Sequence, residues 1–157
     1  MPFFVGGHPG FKCPLDEGES YDDYELRFEQ REATELCTAV PSTGLIDVEH
    51  RSKNPMIGQN LPLTHELFDF AETIFDVLES RVVTLTKKTE DKGVRLTFPD
   101  MPYLIVWSKP EGDFVAVEPW GGLSTCSVED DILEHKRGCL VAKPGETVTR
   151  GFEIEIL

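Results

Sequence analysis

Basic clusters are scarce in this sequence. Fifteen Lys and Arg stand against 29 Asp and Glu in 157 residues, giving a net charge of −14. No basic run is longer than Lys87-Lys88 or Lys136-Arg137. Nucleic acid and anionic membrane would both repel such a chain, which excludes them as partners. Cysteine is sparse too. Cys13, Cys37, Cys126 and Cys139 show no C-x-x-C spacing, so zinc ribbons and thioredoxin-type redox motifs are excluded. No apolar run approaches the length of a membrane span. Met1-Pro2-Phe3-Phe4-Val5 lacks a basic n-region and a full apolar h-region, so a cytoplasmic protein with reduced thiols is expected. Gly6-Gly7 and Gly121-Gly122 lie in neither G-x-x-x-x-G-K-[ST] nor G-x-G-x-x-G, and read as turn glycines rather than phosphate loops. Ser124, Thr125 and Cys126 lack the context of a catalytic nucleophile. His50, His65 and His135 have no metal-ligand spacing and read as surface residues. No metal and no cofactor is therefore expected.

What is present is a pattern of short strands. At 39% hydrophobic, the chain is long enough for one domain with a real core. Tyr24, Leu26 and Phe28 alternate with charged neighbours, a half-buried strand, and Glu35 to Val40 is its expected partner. Residues 41–64 are rich in Pro, Gly, Asn and Ser and read as a long surface excursion. Leu67, Phe68, Ala71, Ile74, Phe75 and Leu78 follow helical spacing, so 65–79 is a candidate helix; an irregular segment with one helical turn is the competing reading. Beyond it the strand signal returns. Arg81 to Lys87 and Val94 to Phe98 flank Glu90-Asp91-Lys92-Gly93, a hairpin turn with Gly where positive φ is wanted. Tyr103 to Trp107 and Asp113 to Val117 flank Lys109-Pro110-Glu111-Gly112, a second hairpin. Cys139 to Ala142, Thr147 to Arg150 and Phe152 to Ile156 complete the strands, and 16–23 and 127–137 read as acidic loops. Strands at this spacing predict an all-β protein, an antiparallel β-sandwich with little helix.

Two motifs carry chemistry. Val117-Glu118-Pro119-Trp120-Gly121-Gly122 ends a strand on a carboxylate held by Pro, beside a large aromatic and an open turn. This is the local build of a sugar site: the ring stacks on pyranose C–H groups while the carboxylate takes or gives a proton. Gly6-Gly7-His8-Pro9-Gly10-Phe11 holds a His in a short rigid turn. Together they suggest a base and an acid that meet in space although distant in sequence.

The order and spacing of several blocks resemble the aldose 1-epimerase (galactose mutarotase-like) family, in its LacX-type branch. The blocks are Gly7-His8-Pro9-Gly10-Phe11 with Pro14, the Tyr24-x-Leu26-x-Phe28 strand, Leu67-Phe68 with Ile74-Phe75 and Ser80, Tyr103-x-x-x-Trp107-Ser108, Glu118-Pro119-Trp120, and Lys136-x-Gly138 with Pro144-Gly145-Glu146. The resemblance covers essentially the whole chain. Chains of that family are much longer, and these motifs belong to their C-terminal half. The resemblance thus implies that residues 1–157 are the C-terminal portion of a galactose mutarotase-like domain: a split gene product, a truncated reading frame or a cut piece. The absent N-terminal half would carry further strands and further sugar-binding residues, an Arg and a His among them. Its loss would expose apolar faces and strand edges, so self-association or pairing with an N-terminal partner is expected.

By the same resemblance Glu118 is the general base and His8 the general acid of mutarotation, converting α- and β-anomers of a hexose. The anomeric hydroxyl loses a proton, the ring oxygen gains one, the ring opens, and it closes on the other face. The family places a sugar-binding Asp within Phe-x-x-Asp-Ala-Leu-Ile-Phe. Here Phe68-Asp69-Phe70-Ala71-Glu72-Thr73-Ile74-Phe75 stands in that stretch, and the Asp position reads Ala71. Asp69 is the expected substitute, with Glu72 an alternative; each also reads as a solvated charge. Trp120 is expected against the substrate, with core packing as the alternative, and Trp107, alternating with Tyr103 and Ile105, is expected in the core. Three functions stay open at this point: an epimerase, a non-catalytic carbohydrate-binding module, and a half-domain that works only with its partner.

Overall fold

The computed structural model describes residues 1–157. Its named strands all pair antiparallel, with three one-turn 3-10 segments at Tyr21–Asp23, His65–Phe68 and Leu133–His135 and no α-helix. In chain order the strands are β1 (Pro2–Phe3), β2 (Gly10–Lys12), β3 (Tyr24–Phe28), β4 (Leu36–Val40), β5 (Leu45–Ser52), β6 (Asn60–Pro62) and β7 (Thr73–Phe75). They continue with β8 (Val82–Lys87), β9 (Gly93–Thr97), β10 (Tyr103–Trp107), β11 (Phe114–Trp120), β12 (Leu140–Val141) and β13 (Glu153–Ile156). A six-stranded sheet runs β2-β11-β10-β7-β4-β5, a five-stranded sheet β13-β9-β8-β3-β6, and β1 pairs β12 separately.

Alternation explains the layering. Leu104 and Val106 of β10 and Val115 and Val117 of β11 turn inward and meet Leu26, Leu85 and Leu96 of the five-stranded sheet in one core. Their neighbours Tyr103, Ile105 and Trp107, and Ala116, Glu118 and Trp120, therefore stand on the opposite face. Residues 121–139 fold over part of that face, where Leu123 and Cys126 join Cys37, Ile46, Ile74, Tyr103 and Ile105 in a second apolar cluster. The uncovered remainder is the site described below.

Both expected hairpins form, β8 with β9 and β10 with β11. Several other expectations give way. Residues 65–79 are not a helix: one 3-10 turn is followed by β7, which pairs β10 on one side and β4 on the other. Thr73, Ile74 and Phe75 are all buried, and a strand buried on both faces shows no alternation to separate it from a helix. The excursion 41–64 contains β5 and β6. β5 is an edge strand carrying Asp47, Glu49 and Arg51, and such edges look like loops in sequence. β4 pairs β5 and β7 rather than β3, whose neighbours are β6 and β8. No strand forms at 147–150, where no neighbour is placed to pair. Flanking strands β12 and β13 pair with β1 and β9, not with each other.

Gly93 is a glycine for a reason other than the expected positive φ. It lies in β9 opposite Thr86, and a Cβ there would stand 2.0 Å from the Leu85 carbonyl oxygen. In the β10–β11 turn it is Glu111 that adopts the left-handed conformation, with φ 58°.

Candidate functional site

The His8 turn is laced onto β11. Gly6 bridges Trp120, the Gly7 N–H donates to the Pro119 carbonyl at 2.9 Å, and the Val117 N–H donates to the Pro9 carbonyl at 3.1 Å. Further along, β2 pairs β11 with Gly10 opposite Ala116. This register sets His8 directly opposite Glu118. Odd-numbered residues exchange the hydrogen bonds, so His8 and Glu118 form a non-hydrogen-bonded pair, the kind whose side chains lie closer together. His8 Nδ1 stands 3.3 Å from Glu118 Oε1, and the Trp120 indole Nε1–H donates to Glu118 Oε2 at 3.2 Å. The two side chains touch rather than face each other across a gap.

The pair is asymmetric. The Glu118 side chain is 4% exposed and that of His8 64%. Burial pushes the Glu118 carboxyl above its usual range; His8 and the Trp120 hydrogen bond oppose this, and the negative charge of Glu72 adds to it. The result is a carboxylate that holds its proton more tightly than a solvated one, next to an imidazole that reaches solvent.

Two cavities meet at the pair. One, of about 400 Å³, lies toward Phe4, Val5 and Gly122; the other, of about 280 Å³, is walled by Glu72, Ile105 and Trp107. His8, Glu118 and Trp120 line both. Trp107, expected in the core, instead lines the second, because the outward face of β10 is left open at that end. Asp69 is exposed and lines neither; it faces a neighbouring cavity together with Ala71. The carboxylate that reaches the second cavity is Glu72. Thr73 of β7 stands opposite Val106, so the preceding residue continues the register beside Trp107, on the outward face.

Comparisons of the whole chain with known proteins bear on the fold. No family model matches the chain. Protein LacX (plasmid) of Lactococcus lactis subsp. lactis is 41% identical over 158 residues, covering all of this chain and 53% of its own length. The X-ray structure of a galactose mutarotase related enzyme from Lactobacillus acidophilus superposes with a TM-score of 0.84 at 28% identity, over all of this chain and 52% of that one. A galactose mutarotase-like protein from Lactobacillus casei ATCC 334 gives 0.76 at 29% identity, over 98% of this chain and 51% of that one. The chain is a partial galactose mutarotase-like domain. It spans about half the length of the relatives it matches.

This galactose mutarotase-like domain also holds a charged cluster that the sequence reading missed. Asp76, just past β7, is buried. It accepts from Arg51 Nη1 and Nη2 at 2.8 Å each and from Arg137 Nη1 at 2.5 Å. Burial alone would raise the Asp76 carboxyl, but the two guanidinium groups overcome it and hold the carboxyl below its usual range. Glu129 in turn accepts from the backbone N–H groups of Cys126 and Arg137 at 2.8 and 2.7 Å. These contacts pin the covering segment 121–139, and with it the Gly122–Ser124 wall of the first cavity, to β5 and β7. The available signal was an acid ending the apolar run Thr73-Ile74-Phe75.

Of the remaining histidines, His50 and His135 are exposed and pair with Asp47 and Asp130 at 2.9 and 2.8 Å. His65, expected at the surface, is half-buried and stacked on Tyr21 with ring centroids 4.3 Å apart. The stretch that was expected to start a helix folds inward there instead. No helix is long and apolar enough to cross a membrane, and all four cysteines are free.

Proposed function

We propose that this chain carries the acid–base centre of an aldose 1-epimerase-like protein acting on a neutral hexose in the cytoplasm. The single observation behind this reading is the Glu118–His8 contact pair, buried on one side and open on the other, at the junction of two cavities walled by tryptophans. Glu118 is the base that takes the proton from the anomeric hydroxyl. His8, as imidazolium, gives one to the ring oxygen. Both oxygens sit on C1, which suits two groups in contact. The open-chain aldehyde turns about C1–C2, and reversal of the two transfers closes the ring on the other face. Trp120 and Trp107 offer apolar faces for pyranose C–H groups. The lining of the second cavity by Glu72 and not Asp69 supports Glu72 as the acceptor from sugar hydroxyls. A site with two carboxylates favours an uncharged sugar over a sugar phosphate.

Polarimetry or exchange NMR on fresh α-glucose and α-galactose tests this. The wild-type chain is expected to speed equilibration, and Glu118→Gln to lower the rate by roughly 10²–10⁴-fold, the worth of a general base. Equal rates for wild type, variant and buffer would reject catalysis by this chain alone. The half-length match and Ala71 favour one second reading, a non-catalytic carbohydrate-binding half. In that case Glu118→Gln binds sugar by NMR titration as wild type does, and neither turns it over.

A further inference from the structure

Ile154 and Ile156 stand directly opposite Leu96 and Val94 of β9. Cross-strand partners share a face, so these isoleucines lie on the face that Leu96 presents to the core. Yet they are 47% and 77% exposed, whereas Leu96 is 2% exposed. The inward face of the five-stranded sheet thus continues one strand beyond anything that covers it. Opposite it the six-stranded sheet ends at β2, which pairs only β11. The two edges lie on one side of the molecule: the Phe152 ring, just before β13, packs so closely on Gly7 that a Cβ there would fall 2.3 Å from it.

Both edges also have free backbone groups. Gly7 N, Cys13 N and the Pro9 carbonyl bond toward β11, so by alternation the N–H and C=O groups of Gly10 and Lys12 face outward. In β13 the Leu157 N–H bonds to the Gly93 carbonyl, which leaves Ile154 and Ile156 to present their N–H and C=O groups outward. An edge of this kind, with a bare apolar face behind it, is a template for strand addition.

We infer that the β2 and β13 edges form a docking surface for the remaining half of a galactose mutarotase-like domain, whose strands extend both sheets and cover Ile154 and Ile156. Two observations select this occupant over a second copy. The relatives carry about as much chain again beyond the matched part. A second copy would bring a net charge of −14 against −14, with Glu153 and Glu155 of β13 repeated at the contact. The docked strands would also lie beside His8, which precedes β2 and is now largely open to solvent. The docking argument does not depend on the sugar chemistry.

Co-expression of this chain with the part of Lactococcus lactis Protein LacX outside the 158-residue match tests the proposal. Size-exclusion chromatography with light scattering is expected to show a one-to-one complex in place of the 17.7 kDa chain. Hydrogen exchange at Gly10, Lys12, Ile154 and Ile156 should slow in that complex. The double variant Ile154→Lys, Ile156→Lys changes side chains that are exposed in the single chain. It should keep the melting temperature of the single chain and lose the complex. A homodimer, a chain that stays free beside the segment, a segment that stays insoluble with and without the chain, or a double variant that still binds would each overturn the inference. Absent mutarotation with an intact complex would count against the epimerase reading only.

Discussion

At the residue scale the site is governed by where two carboxylates sit. Glu118 is buried and its carboxyl is raised, with Glu72 contributing through its negative charge. On the proposed reading Glu118 is the base and works only when ionised, so the acid limb of a kcat/KM profile should lie above the usual carboxylate range. Glu72→Gln removes one cause of the rise, and the limb should move to lower pH in a pH–rate profile. An unmoved limb would mean that the two charges do not couple. The same shift has a stability consequence. The native state binds the Glu118 proton more tightly than the unfolded chain does. Burial of this group therefore costs stability as pH rises from the ordinary carboxylate value through the raised one. Ala71 and Glu72 show how fine the placement is. Adjacent residues of an extended chain face opposite ways, so an acid one position further on can face the site only if the register is also known.

At the element scale the β8–β9 and β10–β11 hairpins form the frame. They were legible because short polar stretches separate the paired strand-forming runs, Lys88 to Lys92 in one hairpin and Ser108 to Asp113, with Pro110 and Gly112, in the other. The centre of the six-stranded sheet was not. β7 is buried on both faces and reads as a continuous apolar run, so a helix fitted its spacing equally well. β5 was hidden by the charges that an edge strand tolerates. Gly93 makes the point for a single position within an element. The sequence shows a turn glycine, whereas the structure shows a strand residue whose neighbour leaves no room for a side chain. Gly93→Ala is expected to destabilise by about 1–3 kcal/mol, the usual cost of forcing atoms into filled space. Urea denaturation would measure it, and an unchanged midpoint would show that β8 and β9 can separate there without cost.

At the scale of the whole molecule, Asp76 joins three segments far apart in the chain: β5 through Arg51, the end of β7, and the covering segment through Arg137. Removing one member leaves two guanidinium groups without their anion. Asp76→Asn should cost about 3 kcal/mol, the low end for a broken buried pair because both arginines keep some contact with water. Urea denaturation at neutral pH checks this. The stability supplied by Asp76 is present above the ordinary aspartate value and is lost as pH falls through its lowered native value. The variant and the wild type should therefore converge in strong acid.

The sequence by itself determined the strand-rich composition, the two hairpins, and the residue types of Glu118 and His8, which are able to take and give a proton. Those are local properties: alternation, turn residues and neighbouring side chains act within a few positions. Tertiary structure alone decided that His8 stands opposite Glu118, that Glu72 rather than Asp69 reaches the cavity, and that Asp76 gathers two arginines. Each of these depends on the register between strands distant in the chain. That register is set by burying two sheets against each other, and a slip of one residue would turn every side chain to the other face.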